Sequence, residues 1–254
     1  MALEDAIFRS FVIWRICPVV LVLGTIWYYK RKGVTLKSMK LRLTAFFVAK
    51  FMARFNKRPD VLKMKDKLFT GLADQKTNNR KKLQILEIGA GGGTNFTFYP
   101  SGSQILCLDP NPNYEGYLVQ SVETSGVEMK GFITGFAERM DTIEDNSLDA
   151  VVCSMVLCSV KDLNKALMEI KRVLKPDGKF YYLEHVAAER GTVLNRVQKL
   201  MNPAWHCCTG DCEITRETGR AIASAGFSKT WMEHFNLNTI IFMIKPFLLG
   251  TATK

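Results

Sequence analysis

The chain of 254 residues contains no internal repeat and no low-complexity tract, and histidine is scarce, with three in all. Its seven cysteines follow no regular disulfide spacing, and an odd number cannot all pair, which excludes a fold built on a disulfide framework. Several of them fall in apolar runs typical of strands, as reduced cytosolic cysteines do. A hydrophobic share of 47% with 11% aromatic residues excludes a disordered chain. The length suits one α/β domain with an attached segment.

Most of the chain has no net positive charge, although the net charge of the whole chain is +11. Residues 30–82 carry 17 Lys and Arg against 3 Asp and Glu, whereas residues 83–254 carry 16 against 19. The larger part is therefore slightly acidic, and it lacks the interleaved aromatic and basic residues of nucleic-acid clefts. We predict no nucleic-acid partner.

The longest apolar run, Phe11–Tyr29, contains one charged residue, Arg15. As a helix it would span roughly 28 Å at about 1.5 Å per residue, close to the hydrocarbon core of a bilayer. The basic residues 30–32 follow at once, so residues 1–32 are predicted to anchor the chain with the remainder in the cytosol. A buried core helix is the alternative. Arg15 and Pro18 also leave a shallow or hairpin-like insertion open.

Residues 33–82 are predicted to form a basic amphipathic helix and a linker. Phe47, Phe51 and Phe55 recur at four-residue steps beside basic side chains, which suits an anionic lipid surface. The alternative is a helix packed on the catalytic domain with a solvated charged face. Asp74–Lys82 is polar and leads into the first predicted strand.

From residue 83 to 254, short apolar runs alternate with helical patterns, which predicts an α/β fold with a parallel sheet covered on both faces. The first strand, Leu83–Ile88, is followed by four glycines within Gly89–Gly93. Glu87 precedes the first of them, giving E-x-G-x-G-x-G. A carboxylate there can meet a cationic group and would repel a pyrophosphate. The pattern therefore predicts a nucleotide that has an amine and no phosphate.

Further polar residues stand at the ends of the later predicted strands. Asp109 ends the second strand and is placed to accept both hydroxyls of a ribose. Glu138, Cys153 and His185 end the third, fourth and fifth. Ligands of such sheets bind outside the carboxyl ends of the strands, so we expect these side chains to converge with Glu87.

Five segments resemble, in order and spacing, the motifs of class I S-adenosylmethionine-dependent methyltransferases: "EIGAGGG", "CLDPNP", "GFAERM", "NSLDAVVCSMVLCSV" and "EIKRVLKPDGKFYYLEHV". With the apolar N-terminal segment and "NPAWHCCTGDCEITRET", the chain is similar to the methyltransferase-like protein 7 family, thiol S-methyltransferases of endoplasmic reticulum and lipid droplets. The resemblance implies a Rossmann-like sheet of seven strands over residues 83–254, with "SKTWMEHFNL" and "IIFMIKPFLLGTAT" as an antiparallel edge. Many relatives have Pro-Gly-Gly where this chain has Pro176-Asp177-Gly178, and Asp can adopt the left-handed conformation required there.

The resemblance also implies S-adenosyl-L-methionine as cofactor. By motif, Glu87 and the glycine turn would hold its methionine portion, Asp109 its ribose, and Ala137 and Glu138 its adenine. Cys153 either lines the cofactor cleft or is a core cysteine. The predicted cofactor-binding residues are Glu87, Gly89, Ala90, Gly91, Asp109, Ala137, Glu138 and Cys153.

Methyl transfer from a sulfonium needs an in-line nucleophile more than an acid or a metal. A thiol with a pKa of about 8.5 is already a few per cent thiolate at neutral pH, so a weak base or none suffices. His185 is the predicted catalytic base, and a histidine that only shapes the pocket is the alternative. Ser154, Trp205 and His206 are predicted to line the acceptor pocket.

The run that contains His206, Cys207, Cys208 and Cys212 matches no common zinc spacing, and we predict no metal there.

The predicted function is methylation of lipophilic small-molecule thiols by an enzyme that contacts membrane lipids. The expected location is the endoplasmic reticulum membrane and lipid droplets, with the catalytic domain facing the cytosol. Methylation of a lipid or quinone is an alternative, because a tethered domain suits that substrate equally. A non-catalytic lipid-droplet binding protein is a third possibility. Intact Glu87, Gly89, Gly91 and Asp109 argue against it.

Overall fold

The computed structural model describes residues 35–78, 82–209, 211–239 and 241–254, together with Gly24 and Arg31. The chain divides into two compact units, Met1–Phe46 and Phe47–Lys254, and the second contains the whole sheet. Apart from Gly24, the predicted anchor Phe11–Tyr29 lies outside the described residues. Among the described residues, no helix combines the length and the apolar composition needed to cross a membrane.

Six helices and seven strands are found in the described part of the chain. The helices are α1 (Leu36–Phe55), α2 (Pro59–Asn78), α3 (Glu115–Ser125), α4 (Leu163–Val173), α5 (Val193–Thr209) and α6 (Thr218–Ser224). The strands are β1 (Gln84–Ile88), β2 (Gln104–Asp109), β3 (Glu128–Thr134), β4 (Leu148–Ser154), β5 (Leu174–His185), β6 (Lys229–Asn236) and β7 (Pro246–Thr253).

The seven strands form one sheet in the order β3-β2-β1-β4-β5-β7-β6. The first five in this order run parallel, and β7 is antiparallel to both of its neighbours. This arrangement confirms the predicted seven-stranded α/β sheet with an antiparallel edge. Strand order reverses between β1 and β4, so a crevice opens beside the carboxyl end of β1, where ligands of such sheets bind.

Burial on both faces explains why the central strands are mainly apolar. All but the last residue of β4 are buried, and β1 is buried from Ile85 onward. α4 covers the sheet with Ala166, Leu167 and Ile170, which lie on one side of the helix. Its first turn is capped by Asp162, whose side chain accepts a hydrogen bond from the Lys165 amide at 3.1 Å.

The turn before the main part of β5 confirms the conformation that the sequence predicted. Asp177 has a φ of 63°, in the left-handed region that Asp tolerates better than most residues. A Cβ on the adjacent Gly178 would lie 2.8 Å from the Lys175 carbonyl oxygen, so this turn requires glycine there.

Helix α2 and the end of α1 pack on the sheet within the unit Phe47–Lys254. Leu68 and Leu72 of α2 are fully buried in the core. Phe55 is buried and stacks on Phe247 of β7 at 6.4 Å between ring centroids, whereas Phe51 remains 55% exposed. Phe55 therefore follows the packed-helix alternative. The predicted boundary at residue 83 followed the motifs, while the packing unit begins earlier and includes α2.

Candidate active site

A glycine turn follows β1 and touches the loop after β4. Gly89, Gly91 and Gly93 have φ values of 64°, 49° and 70°, which favour glycine. A Cβ on Gly89 would lie 2.2 Å from Cγ2 of Val156. The backbone at Gly89 and the loop after β4 are therefore in direct contact at the crevice.

Glu87 lies behind this turn and is only 2% exposed. Its Oε1 accepts a hydrogen bond from Asn95 Nδ2 at 2.8 Å, and its Oε2 accepts one from Tyr99 Oη at 2.6 Å. Asn95 Nδ2 also donates to Ser154 Oγ at 3.2 Å, which ties the segment after the glycine turn to the end of β4. Both oxygens of Glu87 thus order the protein, and its predicted contact with a ligand stays a prediction.

A buried cation accompanies Glu87, and sequence reasoning missed it. Lys65 of α2 is 1% exposed, and its Nζ lies 3.4 Å from the Thr94 carbonyl oxygen. Burial raises the pKa of Glu87 to about 7 and lowers the pKa of Lys65 to about 8. Their mutual attraction opposes both shifts. Helix α2 therefore brings positive charge into the site.

Asp109 connects the end of β2 to the glycine turn. Its Oδ1 accepts a hydrogen bond from the Asn111 amide at 2.9 Å, and its Oδ2 accepts one from the Gly91 amide at 3.2 Å. Burial raises the pKa of Asp109 to about 6. Each carboxylate oxygen retains a second lone pair, so acceptance of ribose hydroxyls is chemically open to it.

A cavity of about 160 Å³ lies against the glycine turn. The predicted adenine residues Ala137 and Glu138 are in its wall. Glu138 Oε1 accepts hydrogen bonds from the amides of Lys161 at 2.6 Å and Asp162 at 3.3 Å, so this carboxylate holds the segment that leads into α4. The remaining wall includes Gly89, Leu108, Pro110, Val156, Ser159 and Asp211.

Glu184 holds the loop after β4, a role that the sequence did not indicate. It is fully buried, and its Oε1 accepts hydrogen bonds from the amides of Val156 at 3.0 Å and Leu157 at 3.1 Å. Burial raises the pKa of Glu184 to about 7. The neighbouring Cys153 is fully buried in the hydrophobic core, and burial raises the pKa of its thiol well above the usual range. Contact between Cys153 and a cofactor stays a prediction.

His185, the predicted base, is 3% exposed and faces two cysteines. Its Nε2 lies 3.1 Å from Cys212 Sγ, which lies 3.7 Å from Cys158 Sγ. Trp205 Nε1 donates to Cys212 Sγ at 3.3 Å. The hydrogen bond with Cys158, then those with His185 and Trp205, lower the pKa of Cys212 to about 4. Nε2 is therefore already engaged by Cys212, and the base role of His185 stays a prediction.

The group formed by His185, Cys212 and Cys158 does not include His206, Cys207 or Cys208. The side chain of His206 is 44% exposed, with Nε2 3.5 Å from Asp211 Oδ1. Cys207 and Cys208 are exposed at the end of α5. Of the predicted acceptor-pocket residues, Trp205 meets Cys212 and Ser154 meets Asn95.

A larger and mainly apolar cavity, of about 710 Å³, begins at Val186 directly after β5. Its wall also includes Thr218, Phe235 and Phe247, and it shares no residue with the cavity at the glycine turn.

Comparison with known proteins finds relatives of this chain among methyltransferases. A sequence family described as a methyltransferase domain matches residues 86–182. Thiol S-methyltransferase TMT1A of Homo sapiens is 38% identical over 210 residues, which cover 82% of this chain and 85% of that protein. Thiol S-methyltransferase TMT1B of Rattus norvegicus is 36% identical over the same shares. A solved S-adenosylmethionine-dependent methyltransferase from Methanosarcina mazei has a TM-score of 0.53 at 19% identity, over 68% of this chain and 92% of that one, a likeness of fold.

The cofactor is S-adenosylmethionine, and the residues present fit it. Gly89 leaves no room for a Cβ where the turn meets Val156, and the adjoining cavity lies beside Asp109 at the end of β2. The turn would hold the methionine portion, Asp109 the ribose, and the wall at Ala137 the adenine. When bound, the cofactor supplies an electrophilic methyl group on a sulfonium. The extent of the similarity, together with this site, places the chain in the thiol S-methyltransferase family of class I S-adenosylmethionine-dependent methyltransferases.

Proposed function

We propose that this chain methylates the sulfur of lipophilic small-molecule thiols at a membrane surface. The observation that carries the proposal is the 38% identity, over 82% of the chain, to a protein named as a thiol S-methyltransferase. The chemistry agrees, because a thiol needs little help to ionise and the site presents no strong, accessible base among its described residues.

In this function the side chains act mainly by positioning. Glu184 fixes the loop after β4 through two amides, and Arg216 holds the same loop from outside. Arg216 Nη1 donates to the carbonyl oxygens of Leu157 at 2.9 Å and Val160 at 2.6 Å. This loop contacts the glycine turn at Gly89, so its position sets the relation between acceptor and cofactor. Orientation of two reactants can contribute several kcal/mol to the lowering of a barrier.

Membrane attachment is supported by the sequence and by one exposed aromatic face. The apolar run Phe11–Tyr29 precedes a basic segment, and Phe51 of α1 is 55% exposed. We propose the endoplasmic reticulum membrane and lipid droplets as the location, with the catalytic unit in the cytosol, since the basic flank follows the apolar run. A lipophilic acceptor would then reach the enzyme from the bilayer.

The substrate class is tested with the full chain in lipid vesicles and methyl-labelled cofactor. An alkyl thiol, a water-soluble thiol and a quinol are offered separately, and labelled product is identified by mass spectrometry. We expect a labelled thioether from both thiols, with the alkyl thiol favoured in vesicles over detergent. Label on the quinol alone, or no transfer although the protein binds cofactor, would overturn the proposed substrate class.

Attachment is tested by flotation of the full chain with liposomes. Leu21→Lys combined with Leu23→Lys places two charges in the apolar run and should release protein from the floating fraction at high salt. Asn79→Lys, which adds charge in the polar linker, is the matched control and should float as the natural chain does. Equal flotation of all three proteins would show that the run is not the anchor.

A further inference from the structure

Three soft or borderline ligand atoms meet beside the cofactor site: Cys158 Sγ, His185 Nε2 and Cys212 Sγ, here called the Cys–His–Cys cluster. All three atoms lie within 4.8 Å of one another. They come from separate segments, namely the loop after β4, the end of β5 and the loop between α5 and α6. We propose that the Cys–His–Cys cluster binds a zinc ion and leaves the fourth coordination position to the sulfur of the acceptor thiol.

Two of the three distances between the ligand atoms are close to those of a tetrahedral zinc site. Two sulfur atoms bonded to one zinc ion at about 2.3 Å each lie about 3.8 Å apart in a tetrahedron. Cys158 Sγ and Cys212 Sγ are 3.7 Å apart. A histidine nitrogen and a thiolate on the same ion lie about 3.5 Å apart. His185 Nε2 and Cys212 Sγ are 3.1 Å apart, and the third pair, His185 Nε2 and Cys158 Sγ, lies within 4.8 Å, so modest side-chain shifts admit the ion.

Burial and chemical type select zinc over harder cations. Cys158 and His185 are 2% and 3% exposed, and thiolate and imidazole ligands suit zinc, whereas magnesium and calcium require oxygen ligands. Two thiolates and a neutral imidazole cancel the charge of Zn²⁺. Two cysteines and one histidine with an open position are also the ligand set of a known class of catalytic zinc site.

Surrounding hydrogen bonds hold the two cysteine ligands in place. Trp205 Nε1 donates to Cys212 Sγ at 3.3 Å, as outer-shell donors do to zinc-bound thiolates. The amide of Glu213 donates to the Cys158 carbonyl oxygen at 2.9 Å, which fastens the two cysteine loops together. His185 Nδ1 is buried and has no hydrogen-bond partner among the described side chains and backbone, so Nε2 is the ring atom that the neighbours engage.

We assign the fourth coordination position to the sulfur of the acceptor thiol, and this part of the inference rests on the proposed function. Cys212 is the half-buried member of the cluster, and the adjacent Asp211 lines the cavity at the glycine turn. An acceptor R–SH would release its proton to solvent, and its sulfur would bind zinc as a thiolate. This sulfur would form a bond to the methyl carbon of the cofactor as the sulfonium S–CH₃ bond breaks, and the cofactor would depart as neutral S-adenosylhomocysteine. The methylated acceptor is then a neutral thioether, which is a weak ligand and leaves. The ion would thus select sulfur acceptors over oxygen and carbon acceptors.

The first test is the zinc content of the tag-free full chain, purified in detergent without chelator and measured by plasma mass spectrometry. We expect about one zinc per chain. Cys158→Ser and Cys212→Ser should each lose it, whereas Cys207→Ser and Cys208→Ser, which change exposed cysteines, should retain it. Trp205→Phe should weaken zinc binding by about tenfold. A chain without zinc, with another metal instead, or with a Cys158–Cys212 disulfide after reducing purification would overturn the site.

The folding of the variants does not limit this test, because the natural chain supplies a second measurement. Chelation should lower its melting temperature, and Zn²⁺ but not Mg²⁺ should restore it; an unchanged melting temperature counts against the site. Cobalt in place of zinc should give the thiolate charge-transfer band and the intense d–d bands of a tetrahedral site.

The fourth position is tested by adding a water-soluble thiol to the cobalt form without cofactor. The visible spectrum should shift and saturate. No shift would overturn coordination of the acceptor. Thiol methylation by a chain that holds no zinc would refute this inference alone, whereas a zinc-loaded chain that methylates no thiol would refute the proposed function alone.

Discussion

Gly89→Ala should lower the free energy of unfolding by more than the backbone cost of placing alanine at a positive φ. Gly89 has a φ of 64°, where an alanine costs about 1 to 2 kcal/mol relative to glycine. Its new Cβ would lie 2.2 Å from Val156 Cγ2 and 3.0 Å from Cγ1, and overpacking of this kind costs about 1 to 3 kcal/mol. The sum is about 2 to 5 kcal/mol. For a chain of this size, each kcal/mol lowers the melting temperature by about 2 to 4 °C.

Gly102→Ala separates the two terms. Gly102 has a φ of 75°, but a Cβ there would meet no atom within 4 Å. It therefore incurs the backbone cost without the clash, and the difference between the two variants measures the clash. Val156→Ala removes the two closest atoms and should recover about 1 to 3 kcal/mol in the Gly89→Ala background. Its Cβ, at 3.1 Å, remains.

The assays are thermal unfolding of the full chain in detergent and calorimetric titration with S-adenosylmethionine. Gly89→Ala should lower cofactor affinity as well as the melting temperature, whereas Gly102→Ala should leave affinity unchanged. The reasoning fails if Gly89→Ala costs no more than Gly102→Ala, or if Val156→Ala brings no recovery. Either result would mean that the glycine turn and the loop after β4 are not in the contact described.

Three further predictions concern the buried charges. Asp109→Ala should weaken S-adenosylmethionine binding at least about tenfold, since hydrogen bonds to a charged acceptor contribute about 1.5 to 3 kcal/mol each. Asp109→Asn in the same titration removes the charge but keeps one carbonyl oxygen, which can still accept from one of the two amides that Asp109 holds. The free energy of unfolding should fall as pH rises from about 4.5 to 7, because burial raises the folded-state pKa of Glu87 to about 7 and the folded state holds a proton that the unfolded state releases. Denaturant titrations across that range should show a flatter profile for Glu87→Gln, and an equal slope would contradict the shift. In a double-mutant cycle, Lys65→Met and Glu87→Gln should each lower the free energy of unfolding at pH 7, because each single change leaves the other charge buried alone. The double variant should lose less than the sum of the two single losses. Strictly additive losses would show that the two side chains do not interact.

Local patterns were enough to predict the architecture of the catalytic part. β1 and β4 are mainly apolar because both faces of a central parallel strand are covered, and that pattern can be recognised in a single sequence. Asp177 and the glycine turn were predictable because particular backbone angles admit few residue types. Asp109 was predictable as a site candidate because it ends β2, and the end of an apolar run can be located in the sequence. The third strand was predicted to end at Glu138, whereas β3 ends at Thr134 and Glu138 follows in the next loop.

The contacts that local patterns did not predict are made by residues far apart in sequence. Lys65 occupies one position on a helix that reads as amphipathic and basic, and nothing local distinguishes it from the solvated lysines beside it. It is buried because α2 packs over the end of the sheet beside Glu87. Glu87 reads as a ligand-facing acid, yet its oxygens are engaged by Asn95 and Tyr99, which return to it after the glycine turn.

The Cys–His–Cys cluster is the clearest example of a contact that local sequence patterns do not predict. Sequence reasoning considered Cys212 only with its neighbours His206, Cys207 and Cys208, because ligand spacing along a chain is the signal that a metal motif leaves. Cys158 comes instead from the loop after β4 and His185 from the end of β5, and the carboxyl ends of these adjacent parallel strands share one edge of the sheet. Local burial and backbone angles were enough to predict the strands, the glycine turn and Asp109 at the end of β2. The contacts between the polar side chains depend instead on the tertiary fold, because strand order and the return of α2 and the α5–α6 loop bring together atoms that no local pattern connects.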